Sequence, residues 1–205
     1  MLECELFAIQ EHRKILSTVQ SYDIRNATTG EMLGEAREKI GLLTKTLRWV
    51  MSKHLLPTLL EVFEKPDDSL VFSLSRRGYL FKSRIEVNDS MGVMVGYFKS
   101  KVFTIGGGFY VYDKDDKFFA EVKGNLLGFN YRFLSGDGAV ELGQVTKKIE
   151  GLAGVAQELF FTVDNYLLRV NPYLAEQPLA KMLLLAAALA IDLIYKSAST
   201  DSGSD

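Results

Sequence analysis

The stretch MLLLAAALAIDLIYK, residues 182–196, is the most apolar in the chain, and it limits what the rest can be. A helix that is apolar on every side must be surrounded by something apolar, either lipid or protein. From Leu179 to Tyr195 is 17 residues, about 25 Å of helix at 1.5 Å per residue. A bilayer crossing usually takes around 20 residues. This one is short, rich in Ala, and interrupted by Asp192, whose charge at mid-membrane costs roughly 3 kcal/mol or more. The expectation is therefore a helix buried in protein. Ala186, Ala187, Ala188 and Ala190 give it a narrow waist that lets other backbones come close.

The remaining sequence supplies the wrapping. Four segments share one form: YDIRNATTGEMLGEAR (22–37), RIEVNDSMGVMVGYFK (84–99), FYVYDKDDKFFAEVKG (109–124) and YRFLSGDGAVELGQVTK (131–147). Each opens with aromatic or β-branched residues two apart, which is the strand period. Each then turns on Asn, Asp or Gly, which tolerate positive φ or bond their own backbone. Three carry a glycine at one matching place in the second strand, Gly34, Gly96 and Gly143, and the fourth has Ala120 there. A small residue inside a strand marks a bend or the close approach of another backbone. Residues 6–9, the pair 60–63 and 70–74 around Pro66-Asp67-Asp68, and residues 166–170 add further strands. About twelve short strands result. Eight strands fill their own barrel with side chains, whereas eleven or twelve leave room for one central helix. The predicted fold is mainly β: a closed barrel of about twelve strands around the C-terminal helix, one domain over 1–196. A Ser/Asp/Gly-rich tail over 197–205 is expected to be disordered.

One more helix is predicted over 39–56, KIGLLTKTLRWVMSKHLL, with Leu43, Leu47, Val50 and Met51 at helical spacing and Pro57 at its end. Its basic residues accompany a tryptophan. Such a helix can close the barrel, lie in a membrane interface, or do both. A short helical turn is expected between Gly151 and Thr162.

The hairpin units, such as YDIRNATTGEMLG, and the closing LLLAAALAIDLIYK resemble those of the phospholipid scramblase and LURP-one-related proteins, in the tubby C-terminal-like group. The resemblance runs from about Leu6 to Lys196 and includes the apolar–apolar–Asp pattern Ala190-Ile191-Asp192. It implies a twelve-stranded barrel around a C-terminal helix. Scramblases carry an acidic calcium segment before that helix. Here TVDNYLLRVNPYLAEQ keeps Asp164, Asn165 and Tyr166 but has Thr162 for the first acid and Leu167 for a glycine. Calcium takes about six to eight oxygens. Asp164, Asn165 and Glu176 are too few, so no calcium dependence and no other cofactor is expected.

Charge and composition narrow the function classes. Of 205 residues 47% are hydrophobic and 24% charged, and the formal net charge is −2, so no global basic field attracts nucleic acid. Cys4 is the one cysteine, which rules out an internal disulfide. Charges within the first 14 residues argue against a secretory leader, and a cytoplasmic protein, peripheral at a membrane, is expected. His12 and His54, the two histidines, have no nucleophile or ligand spacing around them, and an enzyme is not expected. In YDKDDK the acids Asp113, Asp115 and Asp116 alternate like a calcium loop but lack its Gly and Glu, so a hairpin turn is the better reading. Gly106-Gly107-Gly108 lacks a P-loop Lys-Ser/Thr and reads as a bend.

The functional expectation is association with anionic phospholipid headgroups through a basic surface built on Lys45, Arg48, Trp49 and Lys53. Lys39 and His54 accompany these residues, and Arg76, Arg77, Lys82, Arg84, Lys99 and Lys101 extend the surface. The alternatives are a protein-interaction module without lipid binding, marked by an exposed apolar patch away from that helix, and a genuine scramblase, whose closing helix must leave the barrel.

Overall fold

The computed structural model describes residues 1–12, 20–39, 57–76, 84–100, 108–125, 129–147 and 165–199, the side chains of Ser100, Asn125 and 192–199 excepted. Twelve strands run antiparallel: β1 Leu6–His12, β2 Ser21–Asn26, β3 Met32–Lys39, β4 Thr58–Glu64, β5 Ser69–Arg76, β6 Arg84–Asp89, β7 Met94–Ser100, β8 Gly108–Asp113, β9 Phe118–Asn125, β10 Asn130–Ser135, β11 Glu141–Thr146 and β12 Asn165–Val170. Each pairs with its sequence neighbours, and β12 pairs back onto β1, so the sheet closes into a barrel with no free edge. A 3-10 turn, Pro172–Leu174, then leads into helix α1, Pro178–Ser199. Proline at the first helical position suits a start where the amide would be unpaired anyway.

The expected hairpins are all present, and they share a device that alternation alone does not show. In β2–β3 the register slips once, with Ile24 opposite Gly34 but Arg25 opposite Met32, so Leu33 is the extra residue. The same slip leaves Val71 over in β4–β5, Val95 in β6–β7, Phe119 in β8–β9 and Leu142 in β10–β11. An extra residue bends a strand and raises its twist, which is what a closing sheet needs. All five are apolar, and they pack against or within the core. Beside each bulge stands Gly34, Phe72, Gly96, Ala120 or Gly143. The β4–β5 pair is thus a fifth copy of the unit, disguised by Phe72 at the small-residue place.

At Gly96 and Gly143 the small residue has two neighbours. A Cβ on Gly96 would lie 2.5 Å from the Tyr112 carbonyl oxygen and 2.8 Å from a Leu183 methyl of α1. On Gly143 it would meet the Arg169 carbonyl oxygen at 2.7 Å and Leu184 at 3.4 Å. The bends therefore bring both the next strand and the helix in close. Every residue of α1 from Ala180 to Ile191 is buried among inward side chains such as Phe7, Tyr22, Phe72, Phe98 and Tyr166. Asp192 lies beyond the described side chains.

Each hairpin turns on a residue in the left-handed region: Gly30, Asp68, Gly92, Asp116 and Gly138, with φ between 55° and 79°. Side chains at the strand ends hold the turns. The Asp89 carboxylate accepts from the amides of Met91 and Val93, both at 2.9 Å, and Asp113 does the same for Asp115 and Lys117. YDKDDK is thus a hairpin turn, with the first of its acids engaged by backbone.

Two boundaries differ from expectation. Lys39 ends β3 and donates to Glu61 Oε1 at 3.0 Å, so it is strand where a helix was predicted. Residues 40–56 and 151–162, where helices were expected, lie outside the described residues. Helix α1 continues through Ser199, past the predicted start of the tail at 197, because Lys196 and Ala198 are good helix formers that extend it.

Candidate functional site

Antiparallel order sorts the chain's connections by end. The five hairpin turns (27–31, 65–68, 90–93, 114–117 and 136–140), residues 1–5, and the link 171–177 into α1 all gather at one rim. The strands joined by 13–19, 40–56, 77–83, 101–107, 126–128 and 148–164 meet those segments at the opposite rim.

The two rims differ in charge. The hairpin rim carries Glu3, Glu5, Glu31, Asp67, Asp68, Asp115, Asp116, Asp137 and Glu176, nine acids, against the three lysines Lys65, Lys114 and Lys117. At the other rim the first five connections carry Arg13, Lys14, Lys45, Arg48, Lys53, Arg77, Lys82 and Lys101, eight cations and no acid. The sixth, 148–164, holds Lys148 against Glu150, Glu158 and Asp164. In a chain of net charge −2, the connections that attach at the two ends of the barrel thus differ in the sign of their charge.

The wall between the rims largely neutralises itself. Asp23 binds His12 Nε2 at 3.0 Å and Arg25 at 3.0 Å; Arg37 binds Glu35 at 2.7 Å; Lys123 binds Glu121 at 3.0 Å; Arg132 binds Glu141 at 2.5 Å. Lys65 also pairs with Asp68, and its hydrogen bond, with Arg37 nearby, holds that carboxyl below the usual carboxylate range. Exposed pairs of this kind add little stability, but they leave the connections to carry most of the unpaired charge.

Of the residues expected to bind lipid, Lys45, Arg48, Trp49 and Lys53 lie outside the described residues, as do His54, Arg77, Lys82 and Lys101. Their connections attach at the basic rim. Arg84 and Lys99 sit opposite each other on β6 and β7. The Arg84 guanidinium caps the Tyr97 ring at 3.7 Å and its Nε lies 3.4 Å from Glu86, while Lys99 is exposed. Arg76 departs from the expected outer surface. It shares the inward side of β5 with Phe72 and Leu74, and its guanidinium reaches Thr58 Oγ1 at 3.4 Å. Burial pulls its pKa down, and Glu38 nearby opposes that shift.

The calcium-like segment does not converge. Asn165 is buried at the basic end of β12, opposite Gln10, whereas Glu176 is exposed beyond the other end of that strand. Asp164 lies outside the described residues. Gly108 opens β8 with φ of 140°; Gly106 and Gly107 are not described.

Sequence reasoning passed over Lys181. In the first turns of α1 it is 1% exposed, with Nζ 3.4 Å from the Glu3 carbonyl oxygen. Its neighbour Cys4 donates its thiol to the Leu6 carbonyl at 3.3 Å, and burial raises the thiol pKa. A raised thiol pKa favours the folded state below the pH where an unfolded-chain thiol ionises, and this contribution disappears as pH rises through the folded value. Alkylation of Cys4 by iodoacetamide at pH 7.5 should accordingly run slower in the folded chain than in denaturant, since the thiolate is the nucleophile. Equal rates, followed by mass spectrometry, would show the thiol to be open.

Comparison with known proteins places the fold only. No protein-family model and no curated protein matches this chain. Among solved structures, the X-ray structure of a protein from Arabidopsis thaliana superposes with a TM-score of 0.50 at 12% identity, covering 95% of this chain and 91% of that one. At that identity the likeness is one of architecture.

Proposed function

We propose that this chain is a non-enzymatic, scramblase-like and tubby-like barrel that associates peripherally with anionic phospholipid headgroups through its basic rim. The observation that carries the reading is the axial separation of charge: eight cations and no acid in five connections that attach at one rim, above a wall whose charges are paired. Each Lys or Arg near an anionic surface contributes about 1 kcal/mol. Trp49, within the longest of these five connections, has the amphipathic ring suited to the headgroup level. Among the described residues no helix is long and apolar enough to cross a membrane, and α1 is engaged by the barrel core. Both features favour surface association over lipid translocation.

Co-sedimentation tests this. The chain should pellet with vesicles of phosphatidylcholine and phosphatidylserine at low salt, remain in solution with pure phosphatidylcholine, and detach as salt rises to about 0.5 M, where screening is nearly complete. Calcium should make no difference. The variant K45E/R48E/K53E should bind anionic vesicles at least about tenfold more weakly. Failure to bind anionic vesicles at low salt would remove the reading.

A further inference from the structure

The hairpin rim has a second property besides its charge. Among the described residues, six large apolar side chains are exposed: Met91, Val93, Phe118, Val140, Tyr173 and Leu179. All six belong to the hairpin end of the barrel and to one arc of it, spanning the β6–β7, β8–β9 and β10–β11 hairpins and the entry to α1. The remaining two turns, 27–31 and 65–68, expose none. Met91 is 83% and Tyr173 70% exposed, and neither is needed to close its turn, since the turns are held by backbone and Asp or Asn side chains.

Neighbouring parts of the arc touch. A Cβ on Gly136 would lie 2.9 Å from the Phe118 carbonyl oxygen, so Phe118 abuts the β10–β11 turn that carries Val140. Asn171 donates to the Glu141 carbonyl at 2.7 Å, which fixes the Tyr173 turn beside the same hairpin. Behind Phe118, Tyr112 packs against the buried Tyr97 ring at 5.0 Å, which backs the Phe118 tip. Acids edge this arc: Asp89, Asp113, Asp115, Asp116, Asp137 and Glu176, against Lys114 and Lys117.

We infer that this arc is a docking surface for a basic, amphipathic segment of a partner protein, whose apolar side chains seat on the exposed tips and whose Lys or Arg residues meet the surrounding carboxylates. Charge complementarity selects that occupant. An anionic membrane is repelled by the acids, and an acidic peptide likewise. Methionine suits such a site because its flexible thioether adapts to varied partners. The surface lies at the far end from the basic rim, so the inference stands independently of lipid binding.

Fluorescence anisotropy on the full chain tests it with two labelled helical peptides, one built from Lys and Leu, the other from Glu and Leu. The Lys/Leu peptide should bind with an affinity that falls as salt rises, and the Glu/Leu peptide should not. The double variant M91S/Y173S and the reversal D115K/E176K should each weaken binding at least about tenfold while keeping the thermal transition of the parent. The reversal D67K/D68K, in the apolar-free part of the same rim, serves as control and should leave binding within about twofold. Three results would overturn the inference: tip variants that bind as the parent does; a loss with D67K/D68K equal to that with D115K/E176K, which is charge attraction alone; or tip variants that instead lose vesicle binding or a self-association seen by sedimentation, which assigns the tips to membrane or to a second copy.

Discussion

A chain ending at Gln177, before α1, should not form the barrel at all. Removing α1 takes Met182, Leu183, Leu184, Leu185, Leu189 and Ile191 from the core, all nearly or fully buried. Each such side chain contributes roughly 1.5–3 kcal/mol on burial, so the loss is on the order of 10 kcal/mol even allowing for a compact unfolded state. That equals or exceeds the whole stability of an ordinary domain. The twelve strands would also close around an unfilled lumen, since their inward residues were sized to meet a helix. The expected result is loss of the cooperative thermal transition and of amide protection in β5, β6, β7 and β12, the strands that α1 packs against most closely. In the full chain, Ala187→Glu should act in the same direction, because it places an unpaired charge in the centre of the lumen. A cooperative melt in the shortened chain, close to that of the parent, would show that the barrel does not depend on what it encloses.

Gly96→Val should be among the most damaging single substitutions in the wall. Glycine there is required by space, since the site has no positive φ. A Cβ would press on the Tyr112 backbone oxygen at 2.5 Å and on Leu183 at 2.8 Å, and the backbone oxygen cannot move without breaking the β7–β8 ladder. Overpacking of this kind costs about 1–3 kcal/mol when side chains can yield and more when backbone must; a loss of at least about 3 kcal/mol in denaturant unfolding is expected. Adding Leu183→Ala removes one of the two clashes and should restore only part of it, a coupling that a double-mutant cycle reads directly. Gly92→Ala makes the contrast. Nothing lies within 4 Å of its Cβ, but φ is +79°, so it should cost only about 1 kcal/mol, from backbone strain. Equal costs at Gly92 and Gly96 would mean that the close approach is not what glycine serves at Gly96.

The repeat shows how much of the wall was legible and where legibility stopped. Gly34, Gly96, Gly143 and Ala120 stood out in sequence because four units carried a small residue at one place. The fifth unit escaped because Phe72 fills that place, and only the shared register slip identifies it. Arg76 escaped in another way. Its neighbours in sequence are basic, which suggested a common outer face, but two-residue alternation from Phe72 and Leu74 turns it inward. Asn165 and Glu176 are 11 positions apart, and that interval contains a whole strand, so they end at opposite rims.

Local pattern by itself determined the strands, the turns, the closing helix and the need to bury it, because period, turn chemistry and helix length are properties of neighbours along the chain. The tertiary structure alone decided which connections share a rim. Basic residues scattered through the sequence fall in connections that attach at one end, and most acidic turns at the other, only because antiparallel closure carries every second connection to the same side. The exposed tips share the acidic end for the same reason: that Met91 and Leu179 stand at one rim is set by strand order, and no local sequence signal encodes it.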